Sequence, residues 1–298
     1  IIESLRNNSN GELWGIPISN TSLITYYNKD IFDRFGVDYP QDGLTWDEYY
    51  DLARSLNREQ DGEQYVGMAL SNHHHIKLNN YGMAYVDPET ELSTYDNPTW
   101  EKIIRPFTVL GADPGYQAFM EAKENKIADS NDFYEGKVAM LGTILHHVGN
   151  PTFSDPNFNW DMATYPTYPD NPGVGSQSYP EFVTIPSFAE NKDAAMQVIK
   201  YLVSDEYQME ASKEGALTVS INEEIQAAYG SDSVSGKNVT APFYNNFAPI
   251  MNKTAYDNDV ERALTQFTTD LTSGNIDINT ALTRAKEEGD LKIAELQK

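Results

Sequence analysis

The residues of this chain best suited to chemistry are its five histidines, which fall in two groups, His73-His74-His75 and His146-His147. Imidazole titrates near neutral pH, ligates metals and hydrogen-bonds through either nitrogen. Geometry disfavours a metal at the triplet, because adjacent residues on a strand or helix point in different directions and good sites take ligands from separated positions. A ligand-contacting loop and solvated imidazoles stay open as readings of residues 73–75. The pair His146-His147 follows Val138-Ala139-Met140-Leu141, which reads as a buried strand. Just beyond such a strand is a reasonable ligand position in an α/β fold; imidazoles bonded to nearby backbone are the alternative.

Other chemistry is sparse. Asp155, Asn157, Asn159 and Asp161 alternate like the first ligands of a calcium loop, but Trp160 stands where glycine is needed and Pro166 where the bidentate glutamate belongs. The chain has no G-x-S-x-G elbow, H-E-x-x-H helix, phosphate-binding G-x-x-x-x-G-K-[ST] loop or G-x-G-x-x-G fingerprint. Absence of cysteine removes thiol nucleophiles, disulfides and zinc-thiolate sites. No catalytic residue, metal or cofactor is expected. A carboxylate pair for glycoside hydrolysis stays open, since Asp and Glu total 45 and their spatial separation is invisible in sequence. The remaining candidate is Ser19-Asn20-Thr21-Ser22, a polar gap between the apolar runs Leu13–Ile18 and Leu23–Tyr27. Its side chains offer donors and acceptors to a ligand; an ordinary surface loop is the competing reading.

The elements that must position these residues alternate between strand and helix. Leu13, Trp14, Ile16 and Ile18 read as a short strand that Pro17 confines to an edge or end. Leu23 to Tyr27 is β-branched and aromatic, as in a buried strand. Asn28 caps a helix that carries Ile31, Phe32 and Phe35 and stops at Gly36. Thr45 with Glu48 forms a capping box ahead of Tyr49, Leu52, Ala53 and Leu56 on one helical face. Strands are expected at Tyr65–Leu70, Val138–Leu141, Trp160–Tyr165 and Phe182–Pro186. Helices are expected from Pro98 to about Leu110, kinked or shortened by Pro106, and over Gln117–Asp129. Further on, Ala195, Val198, Ile199 and Leu202 share a helix face, and Ser204 caps a helix running to Gly215. Residues 167–181 read as a loop and Ser231–Gly236 as a linker. Val260, Leu264, Phe267 and Leu271 form one stripe ending at Gly274, before a last helix with Ala281, Leu282 and Ala285.

At 298 residues the chain can hold two domains, and 40% hydrophobic content supports a globular core. Its 19 Tyr and 4 Trp are compatible with carbohydrate stacking or peptide contacts as well as with core packing. A formal charge of -24 repels phosphate backbones and anionic headgroups, which argues against a nucleic-acid partner. No apolar run approaches the roughly 20 residues of a membrane span. The chain opens on Ile1-Ile2-Glu3 without a signal sequence and is expected to begin inside a longer protein.

Several stretches in order resemble the family 1 extracellular solute-binding proteins, the substrate-capturing components of bacterial ABC importers. They are Gly11-Glu12-Leu13-Trp14-Gly15-Ile16-Pro17 with Tyr26-Tyr27-Asn28-Lys29-Asp30; Thr45-Trp46-Asp47-Glu48; Phe133 with Gly136-Lys137-Val138-Ala139-Met140; Asn191 to Leu202; and Ser273-Gly274 with Ala281-Leu282. Thr218 departs from the family, which usually has proline there. The resemblance implies an α/β, two-lobed periplasmic-binding-protein-like fold (type II), N-terminally truncated, that closes on its ligand about a hinge. Residues 1–20 and 182–240 would be the remnant of lobe one, and 21–181 with 241–298 lobe two. It places Asn20 and Thr21 at the hinge, where a ligand is commonly bonded, and His146 where many sugar binders put a stacking Trp. His73 and His74 fall in a loop that reaches the cleft, with Tyr179 and Tyr256 in loops near it. The implied protein is a monomeric, non-enzymatic carbohydrate binder serving an importer's membrane permease. It would sit at the extracellular face of the cytoplasmic membrane on a lipid anchor. A carbohydrate-active hydrolase and an adhesion module are the alternatives.

Overall fold

The computed structural model describes residues 1–7, 11–145 and 157–298. Helix α1 (Ile2–Asn7) precedes β1 (Ile16–Ser19) and β2 (Leu23–Asn28). Then come α2 (Lys29–Phe35), α3 (Trp46–Ser55), β3 (Arg58–Gln60), β4 (Glu63–Leu70) and α4 (Asn72–Lys77). Helices α5 (Thr99–Gly111), α6 (Pro114–Ala122) and α7 (Ser130–Tyr134) lead to β5 (Val138–Ile144). Beyond residue 156 lie β6 (Trp160–Thr164), β7 (Val174–Gln177), β8 (Glu181–Val183), α8 (Lys192–Leu202), α9 (Asp205–Lys213) and α10 (Glu223–Ala227). The chain ends with β9 (Asn246–Ala248), α11 (Asp257–Thr265), α12 (Thr268–Thr272) and α13 (Ile278–Leu296).

The main sheet has the order β3-β4-β5-β2-β6. Strands β4 and β5 run parallel, with Leu70 opposite Gly142, whereas β2 is antiparallel to both β5 and β6. Every residue of β2 is buried, as its β-branched and aromatic content requires of a strand covered on both faces. Gly67 on β4 lets α3 lie flat against the sheet: a Cβ there would fall 1.9 Å from the Ala53 carbonyl oxygen. Local signals fix the flanking helices. Asn28 accepts from Asp30 and Ile31 N–H, Gly36 ends α2 at φ 64°, and the Thr45–Glu48 capping box opens α3. A separate two-stranded sheet pairs β1 with β8, bringing Pro17 opposite Phe182.

Several expectations need correction. Residues 71–75 are not a loop: α4 begins at Asn72 with Ser71 as its N-cap residue. The helix expected over 117–129 stops at Ala122, because Glu124 and Asn125 take the left-handed conformation (φ 56° and 60°). Helix α5 reaches Gly111, as far as expected, so Pro106 does not shorten it. Proline withdraws the N–H that would meet the Lys102 carbonyl, which instead accepts from Tyr168 at 3.4 Å. Strand β7 lies inside the presumed loop 167–181 and pairs in parallel with β9, while β8 is shorter than expected. Of the expected α8 face only Ile199 is buried, and Val198 is 58% exposed. Residues 231–236 are compact turns: Val234 is buried and Asp232 N–H donates to Lys213 O at 3.0 Å. The stripe from Val260 to Leu271 is divided between α11 and α12.

Candidate functional site

Two cavities are lined in part by polar residues singled out from the sequence. The first, about 350 Å3, is lined by Ser19, Asn20, Thr21, Leu145, Glu181, Ala211 and residues 214–217. The chain leaving β1 runs beside the chain entering β8: Thr21 N–H donates to Tyr179 O at 3.2 Å, and Tyr179 N–H to Thr21 O at 2.8 Å. Asn20 is held by its own N–H on Leu217 O at 2.9 Å and accepts at Oδ1 from Ser178 Oγ at 2.6 Å. Ser19 Oγ donates to Glu181 Oε2 at 2.8 Å. Thr21 Oγ1 is buried and has no hydrogen-bond partner among the described residues. Such a group is costly unless a ligand or water satisfies it.

The second cavity, about 470 Å3, opens at the carboxyl ends of the parallel strands β4 and β5, the position where α/β sheets commonly receive ligands. Its walls include Ser71, Asn72, His73, Lys126, Asp129, Thr143 and Thr269. Leu141 and Thr143 face it from alternate positions of β5, and Leu145, two residues further, lines the first cavity. Period-two alternation therefore carries one face of this strand from one cavity to the other.

The triplet divides three ways. Nδ1 of His73 meets the carboxylate of Glu261, a buried residue of α11, while half of the His73 side chain stays exposed. His74 Nδ1 lies 2.7 Å from Ser71 Oγ. His75 is buried beneath α4, with Nε2 2.6 Å from Ile103 O and Nδ1 2.8 Å from Tyr165 OH. A carbonyl only accepts, so Nε2 carries the proton and Nδ1 accepts from the tyrosine. Burial pushes the His75 pKa down to about 4, against a smaller opposing effect of the Ile103 carbonyl.

Of the residues singled out from the sequence, Asn20 and Thr21 share the first cavity and His73 lines the second. His74, Tyr179 and Tyr256 line neither. The Tyr179 ring packs under Lys77 Nζ at 5.1 Å, and its hydroxyl accepts from that amine at 3.3 Å. Tyr256 is half-buried against the core at the start of α11. His146 lies outside the described residues. Thr143, Glu181 and Glu261 escaped the sequence reading. Glu261 alone left a signal: it stands three residues before Leu264 and next to Val260, an acid on an otherwise apolar helix face.

An α/β chain whose polar crevice lies where two sheets are joined by adjacent crossing segments has the architecture of a two-lobed binding protein. The computed structure matches solved proteins of that kind. A sugar transporter protein of Rhizobium etli in an open conformation superimposes with a TM-score of 0.77 at 20% identity, covering 97% of this chain and 74% of that one. An ABC substrate-binding protein of Listeria monocytogenes in complex with cycloalternan gives 0.73 at 19% identity, covering 98% and 75%. At such identities the likeness establishes the fold. The family model of the bacterial extracellular solute-binding proteins matches residues 1–209, and the chain belongs to that family. A Brucella abortus protein named as a binding protein is 26% identical over 222 residues, 72% of this chain. The chain spans about half the length (52%) of that curated relative. This is a family of binding proteins located outside the cytoplasm. Among the described residues no helix is long and apolar enough to cross a membrane.

Proposed function

We propose that this chain captures a carbohydrate without turning it over, in the crevice that runs along β5 from the His73 cavity to Asn20 and Thr21. The observation that carries the reading is the buried Thr21 hydroxyl, without a partner among the described residues, beside a cavity whose polar lining comes from Ser19, Asn20, Glu181 and Glu214. Sugars recognise such surfaces, because hydroxyls both donate and accept and can satisfy orphaned polar groups. The Listeria neighbour is in complex with cycloalternan, and an Agrobacterium vitis solute-binding protein of similar fold holds D-mannitol.

On this reading residues 1–20 with 182–240 form one lobe and 21–181 with 241–298 the other, hinged at Asn20–Thr21. Sheet pairing supports the division: β1 bonds to β8, whereas β2 lies inside the main sheet. The first of these lobes also carries strongly exposed apolar side chains, Trp14, Phe182, Phe188, Val198 and Ile221. The protein would act as a monomer at the outer face of the cytoplasmic membrane, lipid-anchored, and hand its solute to the permease of an ABC importer.

Thermal-shift and calorimetric titration with mannobiose, maltose, maltotriose and mannitol test this. A bound sugar at a hundredfold excess over Kd should stabilise the fold by about 2.7 kcal/mol and emerge unaltered after long incubation. Stabilisation by an oligopeptide and by none of the sugars refutes the carbohydrate reading; cleaved sugar refutes the non-enzymatic one.

A further inference from the structure

We propose that Glu261 is a positioning residue of the solute site, fixing the His73 ring in one tautomer so that Nε2 faces the solute as a hydrogen-bond acceptor; this rests on the solute-binding reading above. Glu261 lies on α11, whose neighbouring side chains Val260, Ala263 and Leu264 are apolar and buried. Its side chain is 3% exposed, yet His73, whose Nδ1 it meets, is 53% exposed and lines the second cavity. Packing alone would favour an apolar residue at 261, since a buried carboxylate is tolerated only when paired. Among the described residues no other group donates a hydrogen bond to Glu261 Oε1. The nearby phenols do not compete for it: Tyr95 OH donates to Val260 O at 2.7 Å, and Tyr85 OH is buried without a partner among the described residues. Lys253 and, one turn earlier on the same helix, Asp257 complete the charged surroundings.

The chemistry follows from the contact. A carboxylate only accepts, so the proton of the neutral ring is placed on Nδ1. Nε2 is then the nitrogen left to the cavity, with its lone pair available to a solute hydroxyl. Free imidazole favours the opposite tautomer, with hydrogen on Nε2, which would meet a solute as a donor. Glu261 thus sets the polarity of one recognition point without touching the solute.

Long-range nitrogen–proton NMR of the histidine rings above pH 8 reads the tautomer directly, with His73→Asn identifying the His73 signals. Wild-type protein should show His73 protonated on Nδ1. In Glu261→Leu the ring should revert toward the Nε2-protonated form, and the Kd for whichever of mannobiose or maltose binds should rise at least fivefold. In the His73→Asn background Glu261→Leu should change Kd by less than twofold. An Nε2-protonated His73 in wild type, an unchanged tautomer in Glu261→Leu, or an equal loss of affinity in both backgrounds overturns the assignment. The tautomer readout needs no ligand and no Glu261 variant. Failure of both sugars to bind counts against the carbohydrate reading, while the wild-type spectrum decides the role of Glu261.

Discussion

Protonation of His75 should be written into the stability of the whole fold, because this ring anchors the helix that carries His73. In the folded chain His75 is 1% exposed, and its neutral form satisfies both nitrogens, donating to Ile103 O and accepting from Tyr165 OH. A second proton would sit on Nδ1 in a site closed to water. Burial therefore lowers the pKa from 6.5 to about 4. An unfolded chain titrates near the ordinary histidine value, so between the two pKa values the unfolded state binds more protons than the folded one. Stability from this group is complete above about pH 6.5 and falls as the pH drops toward 4. One pKa unit is worth about 1.4 kcal/mol, so acidification from pH 7.5 to 4.5 should remove roughly 2.5 kcal/mol. Urea unfolding followed by circular dichroism, on wild type and His75→Gln in parallel, isolates the effect because other titrations cancel in the difference. At pH 7.5 the variant should be less stable by about 1–3 kcal/mol, the cost of disturbing two buried hydrogen bonds. That deficit should shrink by about 2.5 kcal/mol at pH 4.5. A deficit constant across the range would mean that His75 is not held neutral and that its burial has been misjudged.

Two further substitutions address the crevice and its frame. Thr21→Val removes a buried hydroxyl that lacks a partner among the described residues, so the apo protein should keep or slightly gain stability by urea unfolding, while sugar affinity by calorimetry falls about five- to tenfold, the worth of one hydrogen bond; unchanged affinity would remove Thr21 from the site. Gly67→Ala drives a methyl into the Ala53 carbonyl, which is backbone and cannot step aside, so α3 must separate from β4 at a cost of about 1–3 kcal/mol. A melting temperature equal to that of wild type would contradict the close helix–sheet approach.

Much of the frame was legible because it is locally encoded. The caps at Asn28, Gly36, Thr45 and Ser204 satisfy backbone groups within a turn of themselves, so residue type and spacing suffice to place them. Period and β-branching did the same for Leu23–Tyr27. Failures came where distant partners decide. Nothing within residues 117–129 announces that the chain turns left-handed at Glu124 and Asn125. The run through Pro106 depends on Tyr168, far along the sequence, taking the freed carbonyl. The expected α8 face rests on a periodicity that only burial can confirm, and the described fold buries Ile199 but not Val198.

The sequence by itself determined the alternation of strands and helices, the polar gap at 19–22 and, through motifs in family order, membership of a solute-binding family. These follow from short-range rules of capping, turn conformation and side-chain periodicity. Tertiary structure alone decided what each histidine of the triplet at 73–75 does. Three adjacent imidazoles, chemically identical in sequence, became a ring paired to a carboxylate from α11, a partner of Ser71 and a neutral buried anchor. Successive residues of a helix point about 100° apart, so neighbours in the chain enter different environments. Those environments are built by α5, α11 and Tyr165 just past β6, which no local pattern could have brought to residues 73–75.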